Sequence, residues 1–191
     1  MKLKSFIKNM KKLFKNGPET GGFTLIELLI VMAILGVLAV VVLVAINPVQ
    51  QLARTRDAGR KSGVAQLGRS LEAYYTAHGG SYLSESATFV SNLVTAGEIS
   101  TVPAAISGSV SGFTACTENA QSNWCYDTDG TYSSAILYTV LESQSESSKC
   151  SSGIPLFVWS TTQGRGGLVC HADYDLDTAD IDTSSEWNAV Q

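Results

Sequence analysis

Cations are scarce in most of this chain: beyond Ser70, only Lys149 and Arg165 stand against 14 acidic residues. That balance excludes a general electrostatic grip on nucleic acid, which needs several Lys or Arg on phosphates. Histidine is limited to His78 and His171, which lie far apart in the sequence. There is no P-loop, no HExxH pair and no CxxC pair. The segment Gly108 to Gly112 reads Gly-Ser-Val-Ser-Gly, with Val110 where a nucleophile elbow needs serine. The expectation is therefore a protein that is not an enzyme, with His78 capping a helix end and His171 packed in a strand.

What the chain does have is a long apolar run behind a basic start. Residues 1–22 carry six lysines (Lys2, Lys4, Lys8, Lys11, Lys12 and Lys15) against one acid, Glu19. From Phe23 to Ile46 the sequence is apolar apart from Thr24 and Glu27. At about 1.5 Å per residue such a helix spans roughly 36 Å, enough to cross a hydrocarbon core of about 30 Å. A secretory signal would have a shorter apolar region ending in small residues, whereas this run ends Val44-Ala45-Ile46-Asn47-Pro48. The lysines favour a cytoplasmic N-terminus, although Arg54, Arg56, Arg60 and Lys61 on the other side reduce the asymmetry. Glu27 is the anomaly. A carboxylate in a membrane segment costs about 2.5–3.5 kcal/mol on insertion scales and is kept mainly where it has a partner.

All four cysteines, Cys116, Cys125, Cys150 and Cys170, lie beyond the apolar run, which points to an oxidising compartment. The favoured pairing is local, Cys116 with Cys125 and Cys150 with Cys170, each loop contributing on the order of 3 kcal/mol. A zinc site is the competing reading.

Asn47-Pro48 should interrupt the helix, because proline lacks an N–H and clashes with the preceding turn. Helical periodicity then resumes through Leu52, Val64, Leu67, Leu71, Tyr74 and Tyr75, and should stop near His78-Gly79-Gly80. Arg54, Asp57, Arg60 and Lys61 form its polar face, either solvated or available to the acidic part of a neighbouring molecule. Gly59, Gly63 and Gly68 cost this helix roughly 3 kcal/mol together. Either it is weak there, or another backbone or a sheet approaches closely. Residues 86–96 have helical character, and strands are expected at 134–141, 154–160 and 167–172, with a turn at 162–166. Asp127-Thr128-Asp129-Gly130 has the character of a turn. Trp124, Trp159 and Trp187 are expected as core or surface anchors. The fold class is α+β: a long N-terminal helix, half membrane-spanning and half amphipathic, packed against a small antiparallel sheet. The divisions are a leader at 1–22, an apolar helix at 23–46, an amphipathic helix at 47–78 and a globular head at 79–191.

The C-terminal run contains Asp173, Asp175, Asp177, Asp180 and Asp182, hard oxygen donors that suit calcium. It lacks the glycine and terminal glutamate of an EF-hand loop, so a solvated acidic tail is the alternative.

Residues Gly21 to Glu27 read Gly-Gly-Phe-Thr-Leu-Ile-Glu. This junction resembles the processing site of type IV prepilins and of the pseudopilins of type II secretion, in which a glycine precedes the cut, phenylalanine follows it and glutamate is the fifth mature residue. Gly22, Phe23 and Glu27 fill these positions. The likeness extends to Leu83 through His78-Gly79-Gly80-Ser81-Tyr82, with Leu83 where the family usually has proline. It implies a pilin-like fold, removal of the leader by a prepilin peptidase, N-methylation of Phe23, and self-assembly in which Glu27 meets a neighbour's terminal ammonium. Further implied partners are an inner-membrane platform protein, an assembly ATPase and, before assembly, membrane lipid. The implied function is a structural subunit of an extracellular type IV pilus, with a periplasmic type II secretion pseudopilin and a non-polymerising single-span anchored binding module as the alternatives. Ala179-Asp180-Ile181 followed by Trp187 is similar to the end of the pseudopilin calcium loop. Loss of the leader would leave 7 basic and 16 acidic residues, a formal charge of −9.

Overall fold

The computed structural model describes residues 21–108, 114–117 and 119–178. These fall into two compact units divided between Ile46 and Asn47.

The first unit holds helix α1, Leu25–Ile46, and none of its residues is buried. It is long and apolar enough to cross a membrane. Its leucines, isoleucines and valines are extensively exposed. Among the described residues nothing covers this surface, which is the state of a segment built for lipid or for other subunits.

The second unit begins at a left-handed residue. Asn47 has φ of 46° and its side chain accepts from the Gln50 N–H, so it caps helix α2, Pro48–Ala77, whose first residue is proline. Proline is favoured there because its missing N–H would have had no helical partner. The expected interruption at Asn47-Pro48 is therefore a helix break with its own cap. Helix α2 ends at His78, whose N–H donates to the Tyr74 carbonyl and whose Nδ1 lies 3.0 Å from the same oxygen.

A short helix α3, Phe89–Ala96, follows and ends at Gly97 in the left-handed conformation. The sheet contains β1 (Cys125–Thr128), β2 (Ala135–Val140), β3 (Ile154–Ser160) and β4 (Arg165–His171), all antiparallel in sequence order. A single turn, α4 (Gln144–Ser147), lies between β2 and β3. Strand β1 was not expected: Asp127 and Thr128 pair with Ile136 and Ala135, and the turn begins only at Asp129. Strand β4 also starts two residues before its expected position, so Arg165 and Gly166 pair with Ser160 and Trp159 instead of forming the turn.

Every residue of β2 is buried, which shows that the sheet is covered on both faces. Ala135 and Leu137 point to the α2 side, where they join Val64, Leu67, Leu71, Phe89 and Trp124. Ile136, Tyr138 and Val140 point the other way, into a second cluster with Leu156, Val158, Val169 and Leu176. The chain after β4 covers this second face, with the Leu176 N–H donating to the Tyr138 hydroxyl at 3.0 Å. Disulfides join Cys116 to Cys125 and Cys150 to Cys170, the local pairing.

Two of the three glycines of α2 are niches for tryptophan, and the third, Gly59, faces Ile106. A Cβ on Gly63 would lie 2.4 Å from the Trp124 ring, and one on Gly68 would lie 2.5 Å from the Trp159 ring. Trp124 and Trp159 are thus anchors; Trp187 lies outside the described residues.

The polar face of α2 departs most from expectation. Asp57 and Arg60 are only 2% and 1% exposed, not solvated. Asp57 accepts the backbone N–H groups of Glu142 and Ser143 and the Arg60 guanidinium. Arg56 and Arg60 both bind the Glu142 carboxylate, and Lys61 binds Glu146 at 2.7 Å. This network fastens α2 to the chain leaving β2. Leu52, by contrast, falls off the apolar stripe and is 59% exposed.

Candidate processing and assembly site

Gly21, Gly22 and Phe23 are exposed and precede the first helical residue, Leu25. The bond between Gly22 and Phe23 therefore lies in non-helical backbone outside the helix. A protease that binds its substrate in extended form could reach it without unwinding α1.

The start of α1 is set by Thr24 and Glu27 acting on each other. The Thr24 N–H donates to Glu27 Oε2 at 2.9 Å, the Thr24 hydroxyl donates to the same oxygen at 2.8 Å, and the Glu27 N–H lies 3.3 Å from Thr24 Oγ1. This is a capping box, in which N-cap and third helical residue satisfy each other's free N–H groups. The Leu28 N–H then donates to the Thr24 carbonyl, closing the first turn. Thr24 is a capping residue that the family resemblance does not single out. The signal was present as Thr-x-x-Glu before an apolar run.

The cap uses only one carboxylate oxygen. Oε2 takes both contacts, while Oε1 has no hydrogen-bond partner among the described residues. Glu27 is exposed and four residues from Phe23, so its free oxygen is available to a cation from outside the chain. A carboxylate at a helix N-terminus is also favoured by the helix dipole.

Of the proposed calcium ligands, Asp173, Asp175 and Asp177 fall among the described residues. Asp173 Oδ1 pairs with His171 Nδ1 at 3.0 Å, and Asp175 accepts from Thr117. Among the described residues no group of three His, Cys, Asp or Glu side chains is placed to hold a metal ion. Asp180 and Asp182 lie outside the described residues.

Residues 20–43 match the family model for the prokaryotic N-terminal methylation motif. No curated protein and no solved structure matches the chain. The motif implies cleavage by a prepilin peptidase and assembly into a pilus-like polymer, and the apolar helix fits a membrane-anchored subunit. Together with the α+β head, this motif supports assignment of the chain to the type IV pilin and pseudopilin family.

Proposed function

We propose that this protein is a structural subunit of a type IV pilus, cut after Gly22, methylated on Phe23 and polymerised through α1. The observation that carries the reading is the methylation motif followed by a helix with no buried residue. In this proposal the cut turns the Phe23 amide into an ammonium, and Glu27 of an adjacent subunit receives it. Burying both charges in an apolar filament interior is tolerable only when they pair. The work is mechanical, in adhesion, motility or uptake of DNA by the whole filament, and the catalytic groups belong to the peptidase and the assembly ATPase. The subunit would pass from the inner membrane, head outside the cytoplasm, to the cell surface.

A major pseudopilin of a type II secretion system is the second reading, favoured by the likeness of the aspartate run to a calcium loop. A single-span anchored module that never polymerises is the third. Electron microscopy of cells with the protein, without it, and with Glu27→Ala separates them. Abundant surface filaments that depend on Glu27 are expected. An unchanged surface after deletion would remove the pilus reading, and normal filaments from Glu27→Ala would remove the assembly role.

A further inference from the structure

The first two turns of α2 carry surface that the rest of the head leaves uncovered. Val49 and Leu52, one helical turn apart, are 53% and 59% exposed. Arg54 is exposed on another side of the same turns and has neither ion pair nor hydrogen bond among the described residues. It lines an open cleft of about 380 Å³ with Gln50, Gln144, Ser145 and Ser148. The Gln144 N–H donates to Gln50 Oε1 at 2.9 Å, which commits the amide oxygen and leaves the amide N–H groups as what Gln50 can offer a ligand. Among the described residues no carboxylate lines the cleft. The acids that flank Gln144 in the sequence are already paired, Glu142 with Arg56 and Arg60 and Glu146 with Lys61 and Lys149. A cleft with an uncommitted guanidinium and amide donors suits an anion, and the guanidinium fork matches two oxygens of a phosphate group.

Chain connectivity supplies the occupant. Helix α1 has 22 residues, and at about 1.5 Å per residue it matches a hydrocarbon core of about 30 Å. The chain therefore leaves the hydrocarbon near Ile46. Along α2, Arg54 stands roughly 10 Å beyond Asn47 at the same rise per residue. The headgroup region adds about 5–8 Å on each side of the core, and an arginine extends its charged head several Å from its stem toward polar surroundings. Connectivity alone thus keeps the Arg54 guanidinium within reach of lipid phosphates. Val49 and Leu52 suit the boundary between headgroups and acyl chains, where the exposed apolar side chains of an interfacial helix become buried.

We propose that the Arg54 cleft holds the phosphate group of a phospholipid in the leaflet beneath the head, with Val49 and Leu52 seated in the adjoining acyl boundary. The inference rests on membrane anchoring through α1 and not on polymerisation, so it applies equally to a pilus subunit, a pseudopilin or an anchored module. A single arginine near an anionic lipid surface contributes about fivefold in affinity. A contact of that strength sets the depth and rotation of the anchored chain without trapping it in the membrane.

The test uses the full chain, labelled at arginine Cζ, in vesicles of phosphatidylcholine and phosphatidylglycerol. Solid-state NMR dephasing of the guanidinium carbon by lipid phosphorus reads direct contact, and native mass spectrometry after detergent extraction reads how much phosphatidylglycerol stays bound. The wild type should show dephasing; Arg54→Gln should remove most of it and lower retention about fivefold. Arg54→Lys keeps the charge but loses the fork, and should fall between the two. Arg69→Gln removes another exposed arginine, roughly 22 Å further along α2, and should leave both readings unchanged. Equal readings with and without Arg54, or equal losses from Arg54→Gln and Arg69→Gln, overturn the site. Inorganic phosphate added to the full chain in detergent separates the two sources of phosphate: an Arg54 signal that responds to it, with no dephasing in vesicles, overturns the lipid as occupant. Loss of surface filaments from Arg54→Gln with lipid contact unchanged would assign the cleft to another protein chain, which also overturns it. A full chain that does not enter vesicles would remove the membrane reading itself, and the lipid site with it.

Discussion

Gly63→Ala is the most direct test of how α2 holds the sheet. In a solvent-facing helix this change stabilises by about 1 kcal/mol, because alanine loses less backbone entropy on folding. Here the new Cβ would lie 2.4, 2.9 and 3.0 Å from three carbons of the Trp124 indole. Trp124 is 1% exposed and its ring nitrogen faces the Pro103 carbonyl at 3.5 Å, so the ring has no empty space to enter. Overpacking of this kind costs about 1–3 kcal/mol or more where the neighbour cannot move.

The clash should outweigh the propensity gain and leave a net loss of about 1–2 kcal/mol. For a domain of this size that lowers Tm by about 3–8 °C. Thermal unfolding of the processed chain in detergent, followed by near-ultraviolet circular dichroism, reads both stability and the tryptophan environment. Trp124→Phe should be less harmful in the Gly63→Ala background than in the wild type, because the smaller ring makes room for the methyl group. A rise in Tm for Gly63→Ala, or strict additivity of the pair, would refute the close approach.

Glu142→Ala should be the most damaging single change among the charged residues. It leaves Arg56 and the 1% exposed Arg60 without their shared carboxylate, at a cost of about 3–5 kcal/mol, and chemical denaturation of the head is the measurement. The pH dependence should carry a contribution from Asp127, raised to about 6 by burial and by the charges of Glu85 and Asp177. A carboxyl raised in the fold binds more protons there than when unfolded, so its stabilisation is complete below about pH 4 and is lost as pH rises through about 6. Asp127→Asn should remove that fall, seen as a smaller drop in Tm between those values than in the wild type. Parallel profiles would contradict the assignment. Glu146 works in the opposite sense: burial raises it, but Lys61 and Lys149 outweigh burial and hold it low, so its stabilisation is lost on acidification.

The elements legible in the sequence were those with a local cause. The apolar run, the Asn47-Pro48 break, the helix end at His78 and the alternation of β2 each follow from a few adjacent residues. Strand β1 was hidden because its identity depends on β2: Asp127 and Thr128 have turn character by themselves and become a strand through pairing with Ile136 and Ala135. The burial of Asp57 and Arg60 was hidden for the same reason. An Asp and an Arg three residues apart on a helix have the pattern of a solvated face. Only the chain at Glu142, more than 80 residues away, supplies the N–H groups and carboxylate that allow them inside. The helix glycines were ambiguous because their partners, Ile106, Trp124 and Trp159, come from distant parts of the chain.

Glu27 carries two demands that its geometry keeps apart. In the single chain it closes a capping box through Oε2, which fixes where the helix begins and leaves Gly22-Phe23 outside it. Under the proposed processing, the cut adds an ammonium at Phe23, next to the positive end of a helix dipole, where a cation is disfavoured. One oxygen of the chain's own Glu27 is already committed to the cap. In the proposed filament, a neighbouring Glu27 would offer its uncommitted Oε1 to that ammonium without uncapping either helix. The same carboxylate can thus order its own helix and neutralise the next, and Thr24 is the residue that keeps the second oxygen free. On this reasoning Thr24 and Glu27 act as a pair, and loss of the hydroxyl would redirect the carboxylate before it removed it.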